Sequence, residues 1–416
     1  MAQLEGSVPE STTFDELLRP LETTLEAIEN SRSIHHREVL SFTDFVRLLI
    51  YYFVKAPGSG RQLLTDTLSA DSSLELDIVK RSTFFDAFDR FPVEWFVMLL
   101  TTVLTAVIWK AIPELDALGK LYCVDGSLFP ALVSMLWAEY KTNHAAIRLH
   151  LCFELNRMLP VQFIVDAGNS NEKDALRQML EAGVTYIADR GYVCFQLLAD
   201  IVKAQAHFVI RMKSNLAYTV TETLPVVLPE VVQHIFMQVS DQRVQLTRAK
   251  GNPIYRLVTF WVGTEQYLIL TNRLDLTTFQ VILLYAYRWQ VELIFRFLKR
   301  TMNGLHLIST SKAGVTIQFY ALLLTALLEL RLKQACVATY EASQQRLQEP
   351  ATETQTIPGL MVPPDTLASA RGQTFLATVG EKLHRYWKIS VHWLVHLRNL
   401  LAQPFDQRAI HLLACT

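Results

Sequence analysis

Between Leu121 and Arg211, short apolar runs and helical segments alternate in an order that few folds accept. Leu121-Tyr122-Cys123-Val124 reads as a short buried strand, closed by Asp125-Gly126-Ser127. Ala145 to Leu155 and Pro160 to Val165 read as two further strands, an antiparallel hairpin turning at Asn156-Arg157. Asn171 to Met179 then reads as a helix, and Val184 to Ala188 as a strand ending in Asp189-Arg190-Gly191-Tyr192. Phe195 to Lys203 reads as a helix and His207 to Arg211 as a strand. The order β-β-β-α-β-α-β belongs to an α/β layer architecture. Asp125 and Asp189 each close a strand, where side chains project readily into sites. An Asx turn or a helix N-cap uses aspartate at such places too.

A second feature is the stretch Leu284 to Leu305, LYAYRWQVELIFRFLKRTMNGL. At about 100° per residue, Leu284, Tyr287, Val291, Phe295, Leu298 and Met302 share one side of a helix and form an apolar stripe. Tyr285, Arg288, Glu292 and Lys299 fall on a second side. A carboxylate flanked by cations suits a metal site beside a polyanion, with Glu on the ion and Arg and Lys on phosphates. The same spacing allows Glu292 to form helix-surface ion pairs with Arg288 and Arg296. Far more chain separates Asp189 from Glu292 than one helix and strand require. The excess, residues 213–275, is rich in Val, Thr, Tyr and Ile and reads as a β-rich insertion.

The wording Tyr285-x2-Arg288-x3-Glu292-x6-Lys299 resembles the signature of insertion-sequence DDE transposases of the IS-four type, relatives of the Tn-five and Tn-ten enzymes. Trp289, Gln290, Leu293 and Phe295 are similar to the same pattern, and Asp189-Arg190-Gly191-Tyr192 to the second aspartate motif. The resemblance implies a ribonuclease H-like mixed sheet in which Asp125, Asp189 and Glu292 are catalytic and hold two Mg²⁺ or Mn²⁺ ions. It implies double-stranded DNA as partner, both terminal inverted repeats and target, gripped by Tyr285, Arg288 and Lys299, with Arg190 and Arg296 as further contacts. It further implies cut-and-paste movement through hairpin ends, a dimer in the synaptic complex, and a flipped base for which Trp261 is a stacking candidate. Trp261 fits a core position equally well. Gathering three acids would raise at least one of their pKa values until metal binds. A metal-dependent nuclease of the same fold, or an inactive DNA-binding descendant, would share these residues.

The expected domains are a helical segment at 1–117, the catalytic core at 118–335, a polar linker at 336–372 and a helical region at 373–416. In the first, Phe14 to Ile28 and Phe42 to Val54 carry helix-spaced apolar residues, Ser82-Thr83 suit a cap, and Pro92 opens a helix. Relatives use this part on terminal repeats, for which Arg32, His35, His36, Arg37, Arg47, Lys55 and Arg61 are suitable; a solvated face is the alternative. Val315 to Leu332 reads as a second apolar helix, packed on the sheet. The net charge of −1 does not mark a nucleic-acid binder, but Tyr285 to Lys333 holds seven Lys/Arg against Glu292 and Glu329. Any DNA footprint is therefore local. The 5 cysteines are scattered without a CxxC pair, as expected of thiols in a reducing compartment. His384, His392 and His396 lack the carboxylate or Cys partners of a metal site. The apolar run Trp95 to Trp109 falls short of the roughly 20 residues that span a bilayer. The expectation is a cytoplasmic protein with no membrane partner.

Overall fold

The structure is a computed structural model that describes residues 10–348, apart from 35, 56–58, 70–73, 75, 77, 107–112, 133, 142–143 and 301–306. The described residues fall into two compact units, one drawn from residues 10–106 and 317–348, the other from residues 113–316. In chain order come α1 (Glu10–Leu18), α2 (Glu22–Ser31), α3 (Phe42–Lys55), α4 (Gly60–Ser69), α5 (Arg81–Arg90), α6 (Val93–Ala106) and α7 (Pro113–Asp116). Next are β1 (Lys120–Pro130), β2 (Glu139–Lys141), β3 (His144–Glu154), β4 (Leu159–Ala167), α8 (Glu172–Gln178), β5 (Val184–Ala188), α9 (Phe195–Lys203) and β6 (His207–Arg211). Then follow β7 (Tyr218–Thr223), α10 (Glu230–Gln233), β8 (Met237–Leu246), β9 (Ile254–Val262) and β10 (Glu265–Thr271). Three helices finish the described chain: α11 (Thr278–Ala286), α12 (Trp289–Arg300) and α13 (Lys312–Gln348).

Aromatic side chains hold the first unit together. Phe42 and Phe45 of α3 meet Trp95 and Phe88 edge-on with centroids 5.0 Å apart, the arrangement that ring quadrupoles favour. The helix expected over Phe14 to Ile28 is broken at Pro20, where a 3-10 turn, Arg19–Leu21, separates α1 from α2. Proline has no N–H to continue the ladder. The expected Ser82-Thr83 cap is also absent, since α5 begins at Arg81 behind Lys80 with no side-chain cap.

The second apolar helix is longer and placed differently than expected. From Ile317 onward α13 belongs with the first unit, not with the sheet. Tyr320 on it is pushed up to about 12 by burial, with Glu94 of α6 adding to the shift. Its segment Lys312–Leu332 is long and apolar enough to cross a membrane, but 78% of its most apolar window is buried inside the protein. Residues 336–348, expected as linker, continue the helix. The rest of that linker, the helical region 373–416 and its three histidines lie outside the described residues.

The second unit is built on one mixed ten-stranded sheet in the order β2-β3-β1-β5-β6-β10-β9-β8-β7, with β4 paired to β3. The pairs β1–β5 and β5–β6 are parallel. Gly119 (φ +86) and Gly183 (φ +77) turn the chain into β1 and β5 through the left-handed region that glycine tolerates best. On one face Tyr122, Val124, Tyr186, Ala188, Phe208 and Ile210 pack with Leu176 of α8 and Leu197, Leu198 and Ile201 of α9. Side chains alternate along a strand, so Cys123, Ile187 and Val209 point to the other face. There α11 packs on β5 and β6, and α12 on β1.

One expectation needs correction: β1 does not stop at Asp125; its ladder with β3 runs on to Pro130 opposite Ala146. The β-rich stretch forms β7 to β10, and β10 pairs with β6 and carries the sheet onward. A buried ion pair ties the insertion to α11: Arg256 Nη2 lies 2.6 Å from Asp241, which also accepts the Thr278 hydroxyl at 2.7 Å.

Candidate active site

Parallel register brings the two aspartates side by side. Lys120 pairs with Val184 and Cys123 with Ile187; two residues beyond stand Asp125 and Asp189. Both share the face of Cys123 and Ile187, where α11 and α12 pack. Asp125 Oδ1 accepts the Gly126 N–H at 2.8 Å. Asp189 continues the extended backbone before a 3-10 turn, Arg190–Tyr192, and its Oδ1 accepts the Tyr285 hydroxyl at 3.1 Å.

The expected single helix across Leu284 to Leu305 is two helices with a break at Tyr287-Arg288. The tighter bonds Arg288 N to Tyr285 O and Gln290 N to Tyr287 O replace the α pattern there. Residues 301–306, including Met302, lie outside the described residues. The break lodges Arg288 in the interior at 8% exposure. Its Nη1 lies 2.8 Å from Glu292, so the ion pair that helical spacing allowed does form. Farther along α12, Lys299 reaches β1, donating to Ser127 Oγ at 2.7 Å and lying 4.9 Å from the Phe129 ring centroid.

The electrostatics centre on Arg288. Burial pushes the Asp125 carboxyl up to about 6, and the nearby Glu292 and Glu172 charges add to the rise, while the Gly126 N–H and the Arg288 charge oppose it. Burial works against the Arg288 cation, yet Tyr285, Glu292 and Asp189 outweigh it and its pKa lies above the ordinary value. The Tyr285 phenol is pushed up to about 12, by burial first and the Asp189 charge second. Lys299 is lowered by burial, against the pull of Asp125.

The donor set suits a divalent ion in type, since carboxylate oxygens are the hard ligands that Mg²⁺ and Mn²⁺ take. Among the described residues, however, no three His, Cys, Asp or Glu side chains stand together closely enough to hold one. Glu292 is held instead by Arg288, whose charge also acts on Asp125 and Asp189. Glu292 would have to leave Arg288 before the three could share an ion.

The other expected residues scatter. Arg190 and Arg296 are exposed, Arg190 lying 4.0 Å from Asp189 and Arg296 over the Trp289 ring. Trp261 lies on β9, in the β-rich insertion. It pairs with Gln266 across β10, in register with Leu268 and Leu270 of the face that α8 and α9 cover. Period-two alternation therefore sets it on the face opposite Asp125 and Asp189. In the first unit Arg32 is committed to Glu29 and Glu38 at 2.5 and 2.6 Å, and Arg47 donates to the Leu74 carbonyl. His35 lies outside the described residues.

One site residue was missed from sequence. Ala188 pairs with Ile210, so Arg211 stands next to Asp189 as Asp189 stands next to Asp125. Arg211 is buried, pairs with Glu265 and lies 4.1 Å from the Tyr267 ring centroid. The signal was available: the apolar runs 121–124, 184–188 and 208–210 are each followed directly by a charged residue.

The sequence pattern of a known family, described as "Transposase DDE domain", matches residues 117–328, and so takes in Asp125, Asp189 and Glu292. Among curated relatives, "Putative transposase y4zB" of Sinorhizobium fredii is 26% identical over 209 residues, covering 49% of this chain and 58% of the relative. "Probable transposase for insertion sequence element IS5377" of Geobacillus stearothermophilus is 24% identical over 189 residues, covering 44% and 49%. The chain thus spans about half the length of the curated relatives it matches. The family pattern covers half of the sequence, including the whole parallel core and the broken helix that carries Glu292: this chain belongs to the transposase DDE domain family.

Proposed function

We propose that the chain is the DNA transposase of a bacterial insertion sequence of the IS-four type, cutting and rejoining strands with a metal-dependent DDE site on a ribonuclease H-like core. The carrying observation is the placement of Asp125 and Asp189 side by side, just past the point where the parallel pairing of β1 with β5 ends, with Arg288 and Glu292 on the same face. The order β4-β3-β1-β5-β6 and the Tyr285, Arg288, Glu292, Lys299 spacing support the finer assignment.

Asp125, Asp189 and Glu292 would hold the Mg²⁺ or Mn²⁺ ions. Two such ions supply activation of a water or 3′-hydroxyl and stabilise the leaving oxygen of an in-line displacement. The chain's own residues prepare that chemistry. Tyr285 orients Asp189 through its hydroxyl. Arg288, released from Glu292, offers a planar fork that fits a phosphate bidentately. Lys299 holds a neighbouring phosphate beside Ser127, and exposed Arg190 and Arg296 add contacts along the DNA backbone. The substrates are the element's terminal inverted repeats and a target duplex, joined by a dimer in the cytoplasm at the nucleoid. The reading includes cut-and-paste excision through hairpin ends.

The test is incubation with a plasmid carrying the element's own ends and Mg²⁺, resolving products on denaturing gels. Excision with hairpin ends, followed by joining to a target plasmid, is expected. Cleavage without joining would assign a nuclease instead, and end binding without cleavage an inactive DNA-binding descendant.

A further inference from the structure

Behind the aspartates, on the face that α8 covers, stands an acid outside the signature. Glu172 opens α8, where the Asn171 side chain accepts the Lys173 N–H at 3.0 Å and caps the helix. Its carboxylate is ion-paired with Arg148 of β3. Arg148 is itself fixed, donating from Nε and Nη2 to the Gly168 carbonyl at 3.2 and 3.0 Å. A carboxylate held this way cannot swing freely.

Its two oxygens face the two glycines that follow the aspartates in sequence. Glu172 Oε1 lies 3.1 Å from where a Cβ on Gly126 would stand, and Oε2 lies 3.0 Å from that of Gly191. The Arg148 Cδ is 3.5 Å from the first of these positions. Neither glycine has a positive φ, so backbone conformation is not what calls for glycine there. Space for Glu172 is. Tyr192, in the same Asp189-Arg190-Gly191-Tyr192 segment, is buried at 3% exposure, and its phenol feels the charges of Asp125, Glu172 and Arg148.

We infer that Glu172, clamped by Arg148, is a positioning residue for both aspartates: it fills the side-chain space of Gly126 and Gly191 and so fixes the backbone segments that aim Asp125 and Asp189. The inference rests on the reading of those aspartates as metal ligands. Residues that orient ligands from behind typically change metal affinity by about 10- to 100-fold when altered.

The experiment uses the full chain with Mn²⁺ as probe, measuring ion binding from the free-ion electron paramagnetic resonance signal and, separately, the Mn²⁺ dependence of cleavage. Glu172→Asp keeps the charge that Arg148 needs and withdraws it by one methylene. We expect unchanged melting and end binding, with Mn²⁺ affinity about tenfold weaker. Gly191→Ala should weaken it similarly, because the added methyl meets Glu172. The double variant should be less impaired than the sum of the two, since the shorter acid leaves room for the methyl. Wild-type Mn²⁺ affinity in both single variants, or strict additivity in the double, overturns the inference. If Glu172→Asp does not fold, Gly126→Ala and Gly191→Ala decide alone, because they leave the Arg148 pair in place; normal Mn²⁺ affinity in both overturns it. Asp125→Asn separates the two levels. Cleavage by that variant sinks the site reading, whereas its inactivity alongside normal Glu172 and glycine variants sinks only the role of Glu172.

Discussion

Asp125→Asn should stabilise the metal-free protein. Burial pushes the Asp125 carboxyl up to about 6 from an ordinary 3.8. An acid with a raised folded pKa binds its proton more tightly in the native state than in the unfolded chain. Stability therefore falls as pH rises between those two values, and the full cost is present above about 6. Each unit of difference corresponds to about 1.4 kcal/mol. Asp125 keeps partial access to solvent, so screening reduces the total to about 1–2 kcal/mol. Asparagine retains an oxygen for the Gly126 N–H and removes the charge. Thermal melting in EDTA should show the variant more stable than the parent at pH 7.5, with the advantage shrinking as pH falls towards 4. Mg²⁺ should raise the melting temperature of the parent only. A variant no more stable than the parent at pH 7.5, or one whose gain persists undiminished at pH 4, would refute the reasoning.

Three further outcomes are expected. Arg288→Lys should cleave poorly despite its unchanged charge, because a lysine point charge does not reproduce the two-pronged grip of a guanidinium; near-normal single-turnover cleavage would count against the phosphate role. Lys299→Ala should weaken binding of all DNA sequences alike and flatten the plot of log K against log salt by about one, checked by filter binding across a salt series. Gln290 is fully buried with neither amide atom hydrogen-bonded; Gln290→Met should raise thermal stability by about 1 kcal/mol, and a lower melting temperature would show that the amide has a structural partner.

Much of the core was legible because its signals are local. Val184 to Ala188, Phe195 to Lys203 and His207 to Arg211 form the expected elements within the expected limits, since short buried strands bounded by turns and one amphipathic helix leave little freedom. The two aspartates could be placed because each stands where an apolar run gives way to polar residues. What escaped depends on contacts distant in sequence. Nothing local marks the break at Tyr287-Arg288, which has neither Pro nor Gly and coincides with the burial of Arg288 among three acids. The continuation of β1 past Asp125 is set by its ladder with β3. Trp261 was a reasonable stacking candidate by residue type alone; the register of β9 against β10 decides its face, and a shift of one residue would have reversed it. Arg32 and Arg47 looked like free cations because their partners, Glu38 and the Leu74 carbonyl, are brought close only by folding.

The most direct test of the central claim compares binding with cleavage in three single variants, Asp125→Asn, Asp189→Asn and Glu292→Gln, each incubated with the element's own ends and Mg²⁺. Each substitution removes a ligand charge while keeping side-chain volume, so the DNA-binding surface remains. The account predicts specific end binding close to that of the parent and no detectable strand cleavage in all three. Cleavage persisting in any one of them, or binding lost in step with cleavage, would contradict a site made of Asp125, Asp189 and Glu292.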